Sequence, residues 1–228
     1  MQASETIGSV VANNIKTAHV FKKYKLDFCC GGGISIEKAC QNRNIDVDSL
    51  LADLESANAI GIQKEHNYKE WSPTFLCDYI ENQHHTYVRE NLPILIQYAN
   101  KVARVHGPNH EYLVSMQELV NELSNELLPH LEKEEKILFP FIRRMEANTN
   151  LNQQDFKIEN PINVMLSEHD HAGAILKKLS KLTADFTAPE YACNTWRAYY
   201  DKLKEFEADL HLHIHLENNI LFTKALAL

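Results

Sequence analysis

The stretch HLHIHLENNILF, His211 to Phe222, alternates histidine with leucine and isoleucine before a glutamate at position 217. Strict alternation is typical of a strand, but the sequence on both sides has the three-to-four residue spacing of an amphipathic helix. On such a helix His213 and Glu217 share the apolar face, one turn apart, whereas His211 and His215 point toward other faces. The stretch therefore predicts a helix that carries a histidine and a carboxylate into a core.

The same spacing organises most of the chain into four long helices. We predict them from Ser72 to about Val105, from Glu111 to Met145, from Ile162 to Phe186, and from the TAPE sequence at 187–190 to Leu226. Only seven glycines and seven prolines interrupt the 228 residues, which favours long helices over short strands. Long antiparallel helices with short or polar connections predict a four-helix bundle over residues 72–228.

Residues 1–56 have a different sequence pattern from the rest of the chain. Short amphipathic segments surround the glycine-rich loop DFCCGGG. We expect a small helical domain there, so that the whole chain is all-α. Residues 57–71 have weak periodicity and are predicted to link this domain to the bundle.

The five cysteines fall into two classes. Cys29 and Cys30, adjacent in the loop, are expected to be flexible, accessible and close to a helix N-terminus, where thiolates are stabilised. Neighbouring cysteines bridge only with strain, so a redox or metal-handling role is predicted for them rather than a structural disulfide. Cys40, Cys77 and Cys193 are expected to be small core residues.

Helix phase separates inward from outward histidines and glutamates. The second and fourth helices each carry a histidine and a glutamate one turn apart on the apolar stripe, and the first and third helices each carry one inward histidine. The predicted inward set is His85, His130, Glu134, His169, His213 and Glu217. Unpaired carboxylates would be costly in an apolar core, and metal ions remove that cost. Imidazole with carboxylate suits iron, manganese or zinc, and two carboxylates can bridge two metals.

Other polar residues lie close to this set in sequence. Glu126, one turn before His130, and Glu168, directly before His169, are candidate hydrogen-bond partners of the ligands or members of a proton path; ordinary surface glutamates are the alternative. The other histidines considered are expected to be solvated or to support the ligands: His84, His106, His110, His171, His211 and His215.

Composition excludes several classes of function. A formal net charge of −8 argues against nucleic acid or an anionic membrane as partner. No apolar run approaches the roughly 20 residues needed to cross a bilayer. The N-terminal sequence has no basic segment followed by an apolar block, so no secretory signal is expected. An odd number of cysteines is unlike a disulfide framework, which favours the cytoplasm.

The combination of LDFCCGGG, HH…RENLP, HLEKEEKILFP, SEHDHAG and HIHLENNILF resembles the iron–sulfur cluster repair di-iron proteins over essentially the whole chain. In that family a small cysteine-bearing domain precedes a hemerythrin-like bundle. The resemblance assigns the family's ligands to the same six residues and implies two iron ions bridged by an oxo group and both glutamates. It also implies functional roles for Cys29 and Cys30, repair after oxidative or nitrosative stress, a cytoplasmic location and often a dimer.

We therefore expect a two-domain di-iron protein that repairs damaged iron–sulfur proteins through iron donation or nitric oxide chemistry. Nitric oxide or oxygen would be its small ligands. A non-catalytic oxygen or nitric oxide sensor, or an iron store, would use the same ligand set, and a structural zinc bundle would be colourless. The ligand set is compatible with enzymatic turnover and with stoichiometric action.

Overall fold

The computed structural model describes residues 1–59, 67–147 and 157–228, and the regular elements within these ranges are all helical. The all-α fold class predicted from the sequence is confirmed. In the N-terminal domain the helices are α1 (Ile7–Asn13), α2 (Ala18–Lys23), α3 (Ile36–Arg43) and α4 (Val47–Ala59), with a 3₁₀ turn at Ile15–Thr17. Side-chain oxygens cap two of them: Thr6 accepts from the Ser9 amide, and Ser35 accepts from the Lys38 amide.

Helix α4 continues beyond residue 56, where we expected the first domain to end. Leu50, Leu54 and Ala57 are all buried along one face, so the buried stripe reaches the first residue of the predicted linker and the helix runs three residues into it. The rest of that linker contains a 3₁₀ turn at Tyr68–Glu70, and residues 60–66 lie outside the described residues.

Four helical rods form the bundle. Their α-helices are α5 (Pro73–Tyr79), α6 (Thr86–His106), α7 (Tyr112–Lys133), α8 (Phe139–Glu146), α9 (Glu159–Leu182), α10 (Asn194–Leu216) and α11 (Phe222–Ala225). Three π-helical segments, Ile80–His85, Glu134–Leu138 and Glu217–Leu221, join α5 to α6, α7 to α8 and α10 to α11 into continuous rods. Helix α6 packs against α7 and α10, and α9 packs against the same two helices, which gives the predicted four-helix arrangement.

The third and fourth rods differ from the expected boundaries. Helix α9 ends at Leu182 rather than at Phe186, because Ala184, Asp185 and Phe186 have positive φ values of 49°, 58° and 58°. The Thr183 hydroxyl accepts a hydrogen bond from the Phe186 amide at 2.9 Å, which holds this left-handed turn in place. The fourth rod consequently begins at Asn194 and not at the TAPE sequence.

Two apolar clusters fill the bundle, one toward each end. One includes Leu92, Leu123 and Leu176, and it is continuous with the core of the N-terminal domain. The other includes Ile80 and Leu138. The predicted ligands lie close to the point at which each rod passes from one cluster to the other, so a polar layer crosses an otherwise apolar interior. Among the helices in the described ranges, none is both long enough and apolar enough to span a bilayer.

Candidate metal centre

The six inward residues predicted from helix phase meet at one depth in the bundle. Each is at most 3% exposed: His85, His130, Glu134, His169, His213 and Glu217. One histidine comes from each rod, and the two glutamates come from the second and fourth rods. The structure thus brings together every side chain that the sequence assigned to the metal site.

These side chains form two groups of four that share both glutamates. His130 and His169 lie in one group, His85 and His213 lie in the other, and within each group the ligand atoms are within 4.8 Å of one another. Glu217 directs Oε2 toward His169 Nε2 at 3.2 Å and Oε1 toward His213 Nε2 at 3.0 Å. Its carboxylate is therefore oriented to bridge two adjacent ions.

The separations match those around a metal ion. His130 Nε2 lies 3.0 Å from His169 Nε2 and 3.4 Å from Glu134 Oε2, and His85 Nε2 also lies 3.4 Å from Glu134 Oε2. Two ligand atoms that are each about 2.1 Å from one ion lie about 3.0 Å apart at a right angle and about 3.4 Å apart at a tetrahedral angle. The histidine nitrogens and carboxylate oxygens already have that spacing.

Buried atoms of the site lack hydrogen-bond partners among the described residues. They include His85 Nε2 and both carboxylate oxygens of Glu134. Burial and the charge of Glu217 raise the pKa of Glu134 above its ordinary value. A buried carboxylate with no donor is costly, whereas a divalent cation satisfies it. The donor set of four imidazoles and two carboxylates fits a metal such as iron.

Glu135 orients the His85 ring. His85 Nδ1 lies 2.7 Å from Glu135 Oε1, and Arg89 holds that carboxylate through two hydrogen bonds of 2.8 Å. Because a carboxylate only accepts, His85 Nδ1 carries a proton, and Nε2 is the nitrogen directed toward the site. Sequence reasoning missed Glu135; its signal was adjacency to Glu134 on the neighbouring face of the helix.

Two further histidines are oriented in the same way. His130 Nδ1 lies 2.8 Å from Glu168 Oε2, and Lys133 contacts the same carboxylate. His169 Nδ1 lies 2.7 Å from Asn218 Oδ1. The structure therefore brings Glu168 to a predicted ligand, and it adds Asn218, which sequence reasoning did not select although it directly follows Glu217.

Of the two alternatives for Glu126, the structure shows the surface position and no contact with the candidate ligands among the described residues. The buried positions of this turn are Leu123, Ser124 and Leu127, which leaves Glu126 on the outer face of α7. Its carboxylate lies 3.2 Å from Nε2 of the exposed His171. Glu126 is thus a surface residue with a surface partner, as the alternative interpretation had it.

The other histidines occupy several environments. His84 is buried, with Nδ1 3.0 Å from Asp209 Oδ1, and its ring stacks on that of His213 with centroids 5.5 Å apart. It supports a predicted ligand. His215 is fully buried, and the centroid of its ring lies 5.8 Å from that of Phe28 in the N-terminal domain. It is therefore not solvated, and no observed hydrogen bond joins it to the six candidate ligands.

Three further histidines lie closer to solvent. His211 is partly buried and packs edge-on against Phe28, whereas His106 and His110 are partly buried beside Trp196.

The π-helical segments coincide with ligands. His85 ends the first, Glu134 begins the second and Glu217 begins the third. A π turn accommodates one extra residue, so side chains on both sides of it can face the interior. Such segments are often found at functional sites, and a 3.6-residue periodicity in the sequence does not reveal them.

The cysteine loop of the N-terminal domain is docked beside this centre. The Cys30 thiol donates to the backbone carbonyl oxygen of His169 at 3.3 Å. Asn219 Nδ2 donates to the carbonyl oxygens of Phe28 at 3.4 Å and Cys29 at 3.2 Å. The loop therefore contacts the rods that carry His169 and Glu217.

The structure corrects the expected character of Cys29. This residue is only 3% exposed, and its thiol donates to Asp27 Oδ1 at 3.2 Å. The hydrogen bond with Cys30, burial and the charge of Asp27 raise the pKa of the Cys29 thiol well above its ordinary value. Helix α3 begins only at Ile36, and a carboxylate rather than a helix N-terminus contacts the thiol.

The remaining cysteines also divide into two classes. Cys40 and Cys77 are buried, as predicted. Cys193 is exposed, which contradicts its predicted core position; it directly precedes α10, and its sulfur contacts His106 Nε2 at 3.3 Å. All five thiols are free.

Comparison with known proteins gives two family matches. Residues 79–225 match the hemerythrin HHE cation binding domain, a range that contains all six residues of the centre. Residues 3–58 match a domain of unknown function, DUF542, and this range contains both cysteines of the loop.

Full-length relatives share both regions. The chain is 37% identical over 226 residues to the iron-sulfur cluster repair protein YtfE of Yersinia pseudotuberculosis, covering 98% of this chain and 97% of the relative. It is 32% identical over 225 residues to the iron-sulfur cluster repair protein ScdA of Staphylococcus haemolyticus, covering 98% and 99%. For ScdA of Staphylococcus epidermidis the identity is 34%, with coverage of 96% and 97%.

Proposed function

Since the chain belongs to the family of iron–sulfur cluster repair proteins with a hemerythrin HHE cation-binding domain, we propose that it repairs iron–sulfur clusters damaged by oxidative or nitrosative stress. The observation that supports this most directly is the pair of four-ligand groups that share Glu134 and Glu217, with a dithiol docked beside them. Damaged iron–sulfur proteins are the proposed partners.

The proposed ligands of the first iron ion are His130 and His169, and those of the second are His85 and His213. Glu134 and Glu217 belong to both groups and would be ligands of both ions. Two iron ions at this position would bind nitric oxide or oxygen, or would supply iron to a damaged cluster.

The surrounding residues prepare the site for that chemistry. Glu135 and Glu168 keep the proton on Nδ1 of His85 and His130, so that each Nε2 is free to coordinate. Apolar clusters on both sides keep bulk water away from the polar layer and strengthen its electrostatic interactions.

We assign Cys29 and Cys30 the role of electron donor to this centre. Their sulfur atoms lie 3.8 Å apart, and Cys30 contacts the backbone of His169. Oxidation of the pair to a disulfide would release two electrons and two protons toward the metal centre. The other role proposed for this cysteine pair is to supply a transient thiolate ligand to the metal.

The proposed location is the cytoplasm, which five free thiols favour because that compartment keeps cysteines reduced. A homodimer is the proposed assembly, on the basis of the family resemblance. Analytical ultracentrifugation of the full chain tests it, with a sedimentation mass of one chain as the contrary result.

The test of the proposed function is repair of a purified iron–sulfur enzyme after exposure to nitric oxide. Iron-loaded protein should restore its activity, and the Cys29→Ser/Cys30→Ser variant should keep its iron but lose repair. Cys193→Ser is the matched control, since Cys193 is exposed and contacts none of the six ligand residues. Full repair by the double variant would refute the role of the dithiol.

The same assay separates repair from sensing and storage. A sensor binds nitric oxide only up to its own stoichiometry and restores no enzyme. An iron store restores the enzyme only in proportion to the iron that it loses. Failure of iron-loaded protein to restore any activity would contradict the proposed function.

A further inference from the structure

A cleft of about 580 Å³ lies between the N-terminal domain and the bundle. Its walls include Phe28 and Cys29 from the cysteine loop, Lys177 from α9 and Lys204 from α10. Sites for small molecules have volumes of about 300–1,000 Å³ and often occur between domains. This cleft therefore has the size and position of a small-molecule site, and none of the six candidate metal ligands lines it.

The lining of the cleft is strongly cationic. Its six basic residues are Lys22, Lys25, Arg43, Lys177, Lys181 and Lys204, and its three acidic residues are Asp27, Asp185 and Glu207. This excess of positive charge occurs in a chain whose formal net charge is −8. Such local concentration of one charge sign attracts ligands of the opposite sign.

The acidic residues of the lining are already engaged. Glu207 pairs with Lys22 at 3.0 Å, Asp185 pairs with Lys25 at 3.2 Å, and Asp27 accepts hydrogen bonds from Cys29. The other four cations have no anionic partner within the described part of the chain: Arg43, Lys177, Lys181 and Lys204. They are available to hold at least two negative groups of a ligand.

Sulfur and apolar groups complete the lining. Cys29 contributes to the wall, and Leu26, Phe28 and Phe186 provide apolar surface beside it. A site for phosphate alone would need the cations but not this apolar surface or the thiol. The combination fits a ligand that has carboxylates at its ends and a short apolar segment with a sulfur between them.

We infer that this cleft binds a small thiol with two carboxylates, of the peptide-thiol class, and brings its sulfur to Cys29. This inference rests on the proposed function, because it supplies the reductant that regenerates the Cys29–Cys30 dithiol after it has delivered its two electrons. Cys30 then contacts the backbone of a candidate metal ligand, whereas Cys29 lines the cleft that binds the reductant.

The exchange is balanced in two steps. The thiolate of one bound ligand attacks the Cys29 sulfur, which forms a mixed disulfide and breaks the Cys29–Cys30 bond; Cys30 takes up the proton that the ligand lost. A second ligand thiolate then attacks the ligand sulfur of the mixed disulfide. It releases the ligand disulfide, and Cys29 takes up the second proton.

Binding is tested by calorimetric titration of iron-loaded, full-length protein with S-methylglutathione, which has both carboxylates but no reactive thiol. We expect saturable binding that becomes about tenfold weaker in Lys177→Ser/Lys181→Ser, because two charge-assisted contacts are lost. The control, Lys101→Ser/Lys178→Ser, removes the same charge from exposed positions outside the cleft and should bind as the parent does.

Some results of the titration would contradict this inference. No saturable binding, or equal weakening in both double variants, would overturn the site. Inorganic phosphate that binds as tightly as S-methylglutathione would overturn the assignment to a thiol.

Reduction is tested on protein oxidised to the Cys29–Cys30 disulfide. Glutathione should reduce it faster than glutathione dimethyl ester, whose carboxylates are blocked, and this advantage should disappear in Lys177→Ser/Lys181→Ser. Equal rates with both thiols, or failure of the disulfide to form, would overturn the exchange. Neither measurement uses a damaged cluster, so the result is independent of whether the protein repairs one.

Discussion

The thiol of Cys30 donates a hydrogen bond to the backbone carbonyl oxygen of His169 across 3.3 Å. A residue of the N-terminal domain thus contacts the backbone of a predicted metal ligand, 139 positions later in the chain. The contact makes the dithiol and the metal centre neighbours, which is the condition for electron transfer or ligand exchange between them.

Gly173 lets the cysteine loop approach α9. A Cβ atom at this position would lie 3.2 Å from Cys30 Sγ, so Gly173→Val should displace the thiol while leaving the six ligand side chains in place. We expect unchanged iron content by elemental analysis and a large loss of repair activity. The control is Ala174→Val, at an exposed position of the same helix, which should keep both. Normal repair by Gly173→Val would contradict the importance of the contact.

Asn219 holds the loop through its amide. Asn219→Ala removes the hydrogen bonds to the carbonyl oxygens of Phe28 and Cys29. Because each such bond contributes about 1 kcal/mol, alkylation of Cys29 by iodoacetamide should become about tenfold faster or more, as measured by peptide mass spectrometry. Asn82→Ala, which loses only a local bond to the Asp78 carbonyl, should not change this rate. An unchanged rate in Asn219→Ala would show that other contacts hold the loop.

Glu168 and Glu126 provide a matched pair. Glu168 binds Nδ1 of His130, whereas Glu126 contacts only the exposed His171 among the interactions observed. Removing a carboxylate that orients a ligand histidine commonly weakens metal binding about 10–100-fold. Chelator competition should therefore show weaker iron binding in Glu168→Ala and parental binding in Glu126→Ala. Weaker iron binding in Glu126→Ala than in Glu168→Ala would contradict the structure.

Metal binding should release protons at neutral pH. Burial lowers the pKa of His85, but interaction with the nearby carboxylates of Glu134 and Glu217 outweighs it and raises the value to about 10. For His169, burial also lowers the pKa, but interaction mainly with Glu217 outweighs it and raises the value to about 9. Both rings are cationic in metal-free protein at pH 7, so binding should release about two protons per chain. An indicator dye in weakly buffered solution measures this, and no release would contradict the prediction.

The same pKa values set the pH dependence of stability in metal-free protein. Both folded-state pKa values lie above the ordinary value of 6.5, so these residues contribute their full stability below pH 6.5 and lose it as the pH rises through about 9 and 10. His215 has the opposite effect, because burial lowers its pKa to about 4. It makes the folded state less stable as the pH drops below 6.5. Stability therefore falls on both sides of pH 6.5, and urea unfolding of metal-free protein should be hardest near that pH.

Helix phase was enough to identify the six inward side chains. The stripe that contains His213 and Glu217 is apolar on both sides of them, so their inward position follows from the periodicity of Leu210 and Leu221. Helix phase did not fix the position of Glu126, because His130 lies at the edge of the buried stripe and Glu126 lies beyond that edge, away from Leu123 and Leu127.

The features missed by sequence reasoning depend on contacts between helices. Glu135 and Asn218 each follow a bridging glutamate and look like surface residues by phase, yet each meets a histidine from a different rod. The raised pKa of Cys29 likewise depends on docking of the loop, which buries a residue that its glycine-rich sequence made to look accessible. Such contacts arise from tertiary packing and leave no periodic signal.

Everything proposed for this chain depends on two metal ions bound side by side in the polar layer. Anomalous diffraction from crystals of iron-loaded protein, collected on both sides of the iron absorption edge, measures their positions directly. The account predicts two peaks about 3.5 Å apart, one between His130 and His169 and the other between His85 and His213, with Glu134 and Glu217 touching both. A single peak, or iron bound instead at the exposed cluster of Glu122, Glu126 and His171, would contradict it.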